Sequence, residues 1–348
     1  MKIYKDYPLA DLTTLKVGGR AKFFTKIRNK KDLLSALNFA KENNLAIFIL
    51  GNGSNLLISD TGFDGLVIKN EIKFLKSKNL KNKIILEVGS GEDWDKIVSL
   101  ACHNNWGGIE CLSGIPGTVG AAPISNIGAY GQELSEVFVK IQTLDLKTSK
   151  LKTFSKKDCD FSYRSSFFKN NPSKYFIISL TLALNKNKKP VLKYLDLQKF
   201  FQNKNNYSLK DIRRAVLKIR KSKGMTMSAG LKSAGSFFTN PIISKSEFSK
   251  LKSKIKTEKT NWFWPTDGKV KVSAAFLIEE AGFNKGYQKG QAGISPYHSL
   301  CLINLNKAKA QEIIDLAFEI QKKVFQKLEV KIKPEVEIIG FKKYPLLF

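Results

Sequence analysis

The sequence is poor in histidine: only His103 and His298 occur in 348 residues. So small a number excludes a metal centre built from several histidines, and it argues against a Ser-His-Asp triad. Proton chemistry must then come from Ser, Glu, Lys, Tyr or Arg side chains. We therefore expect no metal site, and we assign no role to either histidine.

Paired cysteines and long apolar runs are also missing. The four cysteines form no CxxC pair, so neither a zinc ribbon nor a disulfide framework is indicated, and buried reduced thiols are expected. No run approaches the roughly 20 apolar residues of a membrane span. The N-terminal residues 1–6 have no apolar signal-peptide core. These features predict a cytoplasmic protein with no membrane partner.

Arginine is scarce although the chain is strongly basic. Lysine and arginine total 59 against 30 acidic residues, a net charge of +29, yet only six of the basic residues are arginine. Nucleic-acid readers favour arginine for its bidentate fork, and the lysines here are spread over every segment. We expect no specific nucleic-acid partner, although a diffuse positive field can help to recruit anionic substrates.

What the sequence does contain is two glycine-rich loops. The first, Gly51-Asn-Gly-Ser-Asn-Leu56, follows a predicted buried strand at 45–50, and strand ends are where α/β units bind ligands. It lacks the third glycine of a Rossmann fingerprint and the Gly-Lys-Ser/Thr of a P-loop. From the residues alone, Ser54 and Asn55 are equally suited to bonding phosphates and to capping a turn.

The second loop, residues 115–131, has four glycines and two prolines yet is apolar enough to be buried. Glycine lets the backbone approach another group closely, and a bound anion can satisfy the N–H groups of a buried loop. The loop is either a tight structural turn or a wall for a ligand with phosphates. Its length and the similar loop upstream favour the ligand.

Three residues further along have side chains suited to chemistry. Arg164 lies among aromatic residues and is either an ion-pair partner or an anion clamp. Ser236 can donate a proton, but taken alone it is better explained as a turn-capping serine. Glu335 lies on a predicted apolar strand, where a protonated carboxyl can donate a hydrogen bond; for an isolated glutamate, a solvated edge strand is the commoner explanation.

Together the motifs resemble one family. In order within residues 10–341 they are Thr13–Gly19, Gly51–Asn55, Ile115–Gly131, Tyr163-Arg164, Ala234–Pro241 and Pro334–Val336. They are similar to those of the UDP-N-acetylenolpyruvoylglucosamine reductases (UDP-N-acetylmuramate dehydrogenases), flavoenzymes of bacterial peptidoglycan synthesis. The tyrosine within residues 191–197 resembles that of the longer subtype, whose tyrosine loop closes on the diphosphate.

The resemblance implies an α+β architecture. A vanillyl-alcohol-oxidase-like (PCMH-type) FAD-binding fold would occupy two subdomains, residues 1–69 and 70–218, followed by a C-terminal α+β substrate-binding domain at 219–325. A last strand within 326–348 would carry Glu335 back to the active site. FAD would be the cofactor and NADPH the co-substrate of a monomer whose partners are small molecules.

The resemblance also implies a reaction and its residues. Hydride would pass from flavin N5 to C3 of UDP-N-acetylglucosamine enolpyruvate, and Ser236 would protonate C2 to give UDP-N-acetylmuramate. Arg164 and Glu335 would stabilise the enolate-like charge that develops. FAD would contact Gly51, Asn52, Gly53, Ser54, Asn55, Leu56, Gly114, Ile115, Pro116, Gly117, Gly120, Ala121, Asn126, Gly128, Ala129 and Tyr130. The substrate would contact Tyr130, Tyr194, Lys223, Asn240, Trp264 and Lys285.

Two other functions remain open at this point. Another FAD oxidoreductase of the same fold, acting on a hydroxy acid or an alcohol, would need the glycine-rich loops but not Ser236, Lys285 and Glu335. A basic nucleic-acid-binding protein without catalysis would need no flavin at all.

Trp264 is a departure from the family pattern, because some relatives have tyrosine there and tryptophan lacks the hydroxyl.

Overall fold

The computed structural model describes residues 1–186, 192, 194–203, 206–225, 230–257 and 260–348. Helices and strands are mixed along the chain. The strands are β1 Ile3–Pro8, β2 Arg20–Ile27, β3 Ala46–Leu50, β4 Leu56–Ile58, β5 Phe63–Asn70, β6 Leu75–Asn79, β7 Lys83–Gly89, β8 Trp106–Gly107, β9 Gly128–Ala129, β10 Gln132–Glu133, β11 Phe138–Asp145, β12 Leu151–Ser155, β13 Tyr175–Lys186, β14 Lys232–Ser233, β15 Ile242–Ile243, β16 Phe263–Thr266, β17 Lys269–Val272, β18 Gln288–Lys289, β19 Ala292–Ile294, β20 Leu302–Asn304 and β21 Glu337–Ile339. The helices are α1 Lys30–Glu42, α2 Trp94–His103, α3 Phe167–Asn170, α4 Leu195–Phe201, α5 Leu209–Ser222, α6 Lys245–Lys254, α7 Ala274–Glu280 and α8 Ala310–Leu328.

The chain forms two compact units, and each is assembled from separate segments. The first unit comprises Met1–Tyr7, Ala21–Asn52 and Asp64–Ser222. The second comprises Pro8–Arg20, Gly53–Phe63 and Lys223–Phe348. The four-part division predicted from the sequence stays a prediction.

Besides the two-stranded antiparallel pair β10-β9, the described part of the first unit contains two sheets. One has the strand order β1-β2-β5-β3, in which β3 and β5 are parallel and Leu50 lies opposite Lys69. The other has the order β12-β11-β13-β7-β6, with β8 also paired to β13. Helix α2 begins at an Asp93 cap and buries Trp94 and Val98 in the same apolar core as Leu86 of β7. Such burial of one helix face against a sheet provides most of the stability of a helix this short.

In its described residues the second unit has three sheets and one long helix, α8. Their strand orders are β14-β20-β19-β18, β15-β17-β16 and the parallel pair β21-β4. Helix α8 buries Ile313 and Ile320 in a core that also contains Leu15 and Leu57 from the two N-terminal segments of this unit. Those segments are therefore held by the core of the second unit rather than serving as loose connections.

The C-terminal strand is shorter than the sequence pattern predicts. Alternation suggested a strand over residues 330–340, but β21 covers only Glu337–Ile339. Upstream, Pro334 forms a single antiparallel bridge with Phe238. Proline has no N–H to donate, so a regular ladder cannot continue through this position.

Among the residues that the structure describes, no helix is long and apolar enough to cross a membrane.

Candidate active site

The two glycine-rich loops meet in the first unit. A Cβ atom added to Gly51 would lie 2.9 Å from Oγ1 of Thr118. The side-chain Nδ2 of Asn52 donates to the carbonyl of Gly117 at 3.3 Å, across 65 residues of sequence. Gly51, Asn52 and residues 114–130 therefore belong to one unit, whereas residues 53–56 of the first loop belong to the second.

Several backbone N–H groups of the second loop are already bonded within the protein. Gly114 donates to Oδ1 of Asp95 at 2.6 Å, and Gly120 donates to the carbonyl of Ser90 at 2.8 Å. A Cβ atom at Gly120 would lie only 2.7 Å from Cβ of Ser90, so glycine is required for this packing. These two glycines would help a flavin by allowing close approach rather than by donating hydrogen bonds. Their contact with FAD stays a prediction.

Three non-glycine residues of the predicted site have left-handed backbones. The φ angles are 40° at Asn126, 49° at Tyr130 and 53° at Arg164. Such residues are uncommon and persist where their surroundings fix them. Asn126 is fixed by its side-chain amide, which donates to Oε2 of Glu133 at 2.9 Å and to the carbonyl of Ser162 at 3.3 Å. The amide thereby ties the second loop to the turn that carries Arg164.

The guanidinium of Arg164 is oriented by this loop. Its Nη2 donates to the carbonyl of Gly128 at 2.8 Å, and its Cζ lies 5.6 Å from the ring centre of Tyr163. A Cβ atom at Gly128 would approach Nη1 to 3.2 Å, so any side chain there would crowd the guanidinium. The backbone carbonyl of Arg164 accepts a hydrogen bond from Nζ of Lys169 at 2.9 Å. This cation is preorganised, as a carboxylate clamp must be.

Two tyrosines predicted to bind substrate contact each other. The rings of Tyr130 and Tyr194 lie edge to face, with centroids 5.4 Å apart. Tyr194 immediately precedes α4 and is 38% exposed. Residues 187–191 and 193, which include part of the predicted tyrosine loop, lie outside the described residues.

The sequence analysis missed two arginines beside the start of the second loop. Arg213 forms two hydrogen bonds with the carboxylate of Asp95, at 2.5 and 2.7 Å. A Cβ atom at Gly114 would lie 3.3 Å from Nε of Arg220. Burial lowers the pKa of Arg220, although Tyr130 and Asp95 oppose this effect. The scarcity of arginine in the sequence could have pointed to them, because three of the six arginines, Arg164, Arg213 and Arg220, lie beside this loop or the residue before it.

In the second unit, Ser236 and Glu335 are brought close in the fold by backbone pairing. Glu335 donates its N–H to the carbonyl of Phe237 at 2.8 Å, beside the bridge between Phe238 and Pro334. The rings of Phe237 and Phe238 are almost fully buried and anchor this pairing in the core. Both Ser236 and Glu335 remain half-buried. The hydroxyl and the carboxyl therefore belong to adjoining strand segments although about 100 residues separate them in sequence.

Asn55 of the first loop is bonded to the same segment. Its Nδ2 donates to the carbonyl of Glu335 at 3.0 Å, and its own carbonyl accepts from the N–H of Glu337 at 3.0 Å. The parallel pairing of β4 and β21 continues from this point, with Leu56 opposite Glu337. The predicted cofactor residue Asn55 thus positions the backbone of the predicted catalytic residue Glu335.

Two lysines act electrostatically on His298. Burial lowers the pKa of His298 to about 4, and the charges of Lys223 and Lys285 lower it further while Glu279 opposes them. Its Nδ1 accepts a hydrogen bond from the N–H of Leu300 at 3.1 Å. A neutral imidazole in this state carries its proton on Nε2. Lys223 and Lys285, both predicted to bind substrate, thus share one electrostatic neighbourhood with His298.

The other two predicted substrate residues have structural surroundings. Oδ1 of Asn240 accepts from the N–H of Ala274 at 2.9 Å, at the start of α7. Trp264 lies on β16 opposite Lys271 and is 36% exposed. Neither arrangement tests substrate contact, which stays a prediction for both.

Within the described ranges, no group of three or more His, Cys, Asp or Glu side chains could hold a metal ion.

Comparison with known proteins identifies the family. Residues 21–154 match the FAD binding domain, and residues 223–339 match the C-terminal domain of UDP-N-acetylenolpyruvoylglucosamine reductase. The UDP-N-acetylenolpyruvoylglucosamine reductase of Flavobacterium johnsoniae is 38% identical over 97% of this chain and 100% of its own length. That of Thermobifida fusca is 36% identical over 97% and 98%. The chain belongs to the UDP-N-acetylenolpyruvoylglucosamine reductase family.

The fold agrees with that membership. The crystal structure of the UDP-N-acetylenolpyruvylglucosamine reductase of Thermus caldophilus superposes with a TM-score of 0.67, at 24% identity, over 97% of this chain and 98% of its own. The predicted α+β architecture with an FAD-binding fold and a C-terminal domain is therefore confirmed. So are the predicted enzyme class, an FAD oxidoreductase of peptidoglycan synthesis, and FAD as the cofactor.

The matched domains divide the predicted site of the reductase in a simple way. The FAD binding match contains the glycine-rich loops from Gly51 to Tyr130. The C-terminal match contains Ser236, Lys285 and Glu335, whose roles stay predictions. Arg164 lies outside both matched ranges.

Proposed function

We propose that the chain reduces UDP-N-acetylglucosamine enolpyruvate to UDP-N-acetylmuramate, with NADPH as the electron donor. The observation that carries the proposal is the pairing of the Ser236 segment with the Glu335 segment, inside the matched C-terminal domain. It supplies a hydroxyl donor and a carboxyl group to one small region. A serine and a glutamate so placed suit the protonation of a carbon next to a carboxylate.

The donors of the first loop suit the diphosphate of FAD. Residues 51–56 carry amide and hydroxyl side chains and no carboxylate. Gly51 packs against Thr118 so closely that a methyl group would not fit. We propose that Gly51–Leu56 and the 114–130 loop hold FAD. When bound and reduced by NADPH, FAD supplies the hydride that is added to C3 of the enolpyruvyl group.

The chain's own residues would handle the charge and the proton. Arg164, fixed by the carbonyl of Gly128, would bind the substrate carboxylate. Glu335 would help to stabilise the enolate-like charge that develops. Oγ of Ser236 would transfer its proton to C2, so that the C=C bond becomes a lactyl CH–CH3 unit with one hydride and one proton added.

Binding of the substrate diphosphate is proposed for the remaining residues. Lys223 and Lys285 supply positive charge around His298. Tyr130 and Tyr194 present adjoining rings, and Asn240 and Trp264 complete the proposed set.

We also propose that the enzyme is a cytoplasmic monomer without a specific nucleic-acid partner. The four cysteines are buried free thiols, as is usual in a reducing compartment. The mass of the holoenzyme by light scattering tests the monomer. Loss of any nucleic-acid association at moderate salt would support a purely electrostatic origin.

The test of the main proposal is NADPH oxidation by the purified flavoprotein. Oxidation should depend strictly on UDP-N-acetylglucosamine enolpyruvate, and mass spectrometry should find a product two hydrogens heavier. Bleaching of the flavin by a hydroxy acid or an alcohol without NADPH would instead indicate an oxidase of the same fold. The proposal would be contradicted if NADPH were oxidised at the same rate with and without the enolpyruvyl substrate.

A further inference from the structure

Lys69 lies where strand β3 enters the first loop. It is on β5, parallel to β3 and opposite Leu50, the last residue before Gly51. The preceding residues of β5, Leu66 to Ile68, are fully buried, whereas Lys69 is half-buried. A lysine can bury its alkyl stem and extend its ammonium to a more polar place. Here that place is the glycine-rich loop.

The ammonium of Lys69 binds two groups of the first loop, and one of them reaches the second loop. Nζ donates to the carbonyl of Gly51, and it lies 3.3 Å from Oδ1 of Asn52. The other end of the Asn52 amide donates to the carbonyl of Gly117 at 3.3 Å and faces Oδ2 of Asp93 at 3.5 Å. Asn52 itself is exposed. A single cation thus holds a solvent-facing amide that spans both loops of the first unit.

The charge of Lys69 is only partly balanced by an acidic side chain, that of Glu71. Burial lowers the pKa of Lys69, and Glu71 opposes this effect while Lys26 and Lys73 add to it. Glu71 is itself engaged with Lys26 at 3.6 Å and Arg28 at 3.2 Å. In the part of the chain that the structure describes, no carboxylate forms an ion pair with Lys69. A half-buried cation of this kind is stabilised when a ligand brings negative charge.

We propose that Lys69 is a binding and positioning residue for the diphosphate of FAD. Its ammonium attracts the phosphate charge, and its hydrogen bonds hold Gly51 and Asn52 in the conformation that receives it. The inference rests on the proposed placement of FAD at these loops. It adds a charged residue, because residues 51–56 are all uncharged.

The competing explanation is a purely structural tether, and the variants separate the two roles. Lys69→Gln keeps N–H donors for Gly51 and Asn52 but removes the charge. Lys69→Arg keeps both, and Lys69→Met removes both. Lys83→Met, at an exposed position on β7, is the matched control for the loss of one positive charge. FAD would be removed from each variant, and its dissociation constant measured by quenching of flavin fluorescence on rebinding.

At low salt, about 50 mM, Lys69→Gln should bind FAD about tenfold more weakly than the wild type because the charge is lost. Lys69→Met should bind FAD more weakly still, because it also loses the hydrogen bonds to Gly51 and Asn52. The Arg variant should stay within about threefold, and Lys83→Met should be unchanged. At about 500 mM salt the deficit of Lys69→Gln should shrink to less than about threefold, because screening removes the charge effect.

Two results would overturn the inference. Lys69→Gln could bind FAD as tightly as the wild type, which would leave the charge without a role. The deficit of the neutral variants could be the same at both salt concentrations, which indicates a tether. If Lys69→Met fails to fold, the comparison of Gln with Arg decides alone. A wild-type protein that does not bind FAD would refute the proposed placement of FAD itself, which is a separate result.

Discussion

The side-chain amide of Asn55 donates a hydrogen bond to the backbone carbonyl of Glu335 at 3.0 Å. The two residues are 280 positions apart in the chain. One belongs to the first glycine-rich loop and the other is the proposed carboxyl donor to the substrate. The bond means that the loop proposed for FAD and the acid proposed for the substrate share one backbone support within the second unit.

Asn55→Ala should therefore affect the half-reaction that uses Glu335. Losing the bond should lower the free energy of unfolding by about 1 kcal/mol. Reoxidation of reduced flavin by the enolpyruvyl substrate should slow by about tenfold, because Glu335 is less well placed. Stopped-flow absorbance of the flavin measures the rate, with Asn79→Ala on exposed strand β6 as the control. An unchanged reoxidation rate with full flavin content would refute this coupling.

Ser236→Ala should separate the two halves of the reaction. NADPH should still bleach the flavin at nearly the wild-type rate, because no proton from Ser236 is used in that step. Reoxidation by the enolpyruvyl substrate should fall by at least about a hundredfold, since the proton for C2 is missing. Ser249→Ala, on the exposed surface of α6, is the matched control. Normal turnover by the Ser236 variant would remove this serine from the mechanism.

Arg213 and Arg214 are adjacent in sequence but should differ sharply in their effect on stability. Arg213 pairs with Asp95 and its side chain is 17% exposed, whereas Arg214 pairs with Asp211 and is 78% exposed. Arg213→Met should lower the free energy of unfolding by about 2 kcal/mol, and Arg214→Met by less than about 0.5 kcal/mol. Urea unfolding of the holoenzyme measures both. Equal effects would mean that the Asp95 pair is no more than a surface contact.

The Arg213 effect should also depend on pH. Burial alone would raise the pKa of Asp95, but the hydrogen bonds from Arg213 and Gly114 outweigh it and lower the pKa. A carboxyl with a lowered folded pKa stabilises the fold above its unfolded pKa, about 3.9, and loses that contribution as the pH falls further. The difference between Arg213→Met and the wild type should therefore shrink in acid.

His298 should make the enzyme less stable as the pH falls from about 6.5 to 4. Its folded pKa is about 4, while an unfolded histidine titrates near 6.5, so the unfolded state takes up the proton first. The single group should cost roughly 3 kcal/mol across that window. His298→Gln should flatten the slope, and His103→Gln, at the exposed end of α2, should not. Equal slopes for both variants would contradict a buried neutral imidazole.

Local and pairwise features were predictable from the sequence. Alternating residues at 137–145 and 150–154 predicted an antiparallel pair, and β11 and β12 form it with Ile141 opposite Phe154. The apolar face of α5 was likewise evident, since Ile212 and Val216 recur at helical spacing and are both buried. Such patterns depend only on the periodicity of one segment.

Features that join distant segments were not predictable. The Asp95–Arg213 pair spans 118 residues, and nothing in either local pattern marks its partner. The polar composition of residues 199–207 predicts a surface segment, and most of its described residues are exposed. The composition does not predict that α4 (Leu195–Phe201) buries Leu197 and Phe201. The apolar residues that stabilise this helix come from α5 and from Cys111. Because they are not in the segment itself, its own sequence pattern does not reveal them. The juxtaposition of Ser236 with Glu335 was reachable only through the family resemblance.

The order of segments in the two units determines which truncated fragments of this protein can fold. The chain passes from one unit to the other at residues 7–8, 20–21, 52–53, 63–64 and 222–223. A fragment ending at Ser222 would retain Leu15, Val17 and Leu57 but lack the residues that cover them in the second core. A fragment starting at Lys223 would lack those three buried apolar side chains. Neither piece is a self-sufficient folding unit, so dissection of this enzyme requires rejoined segments rather than a single truncation.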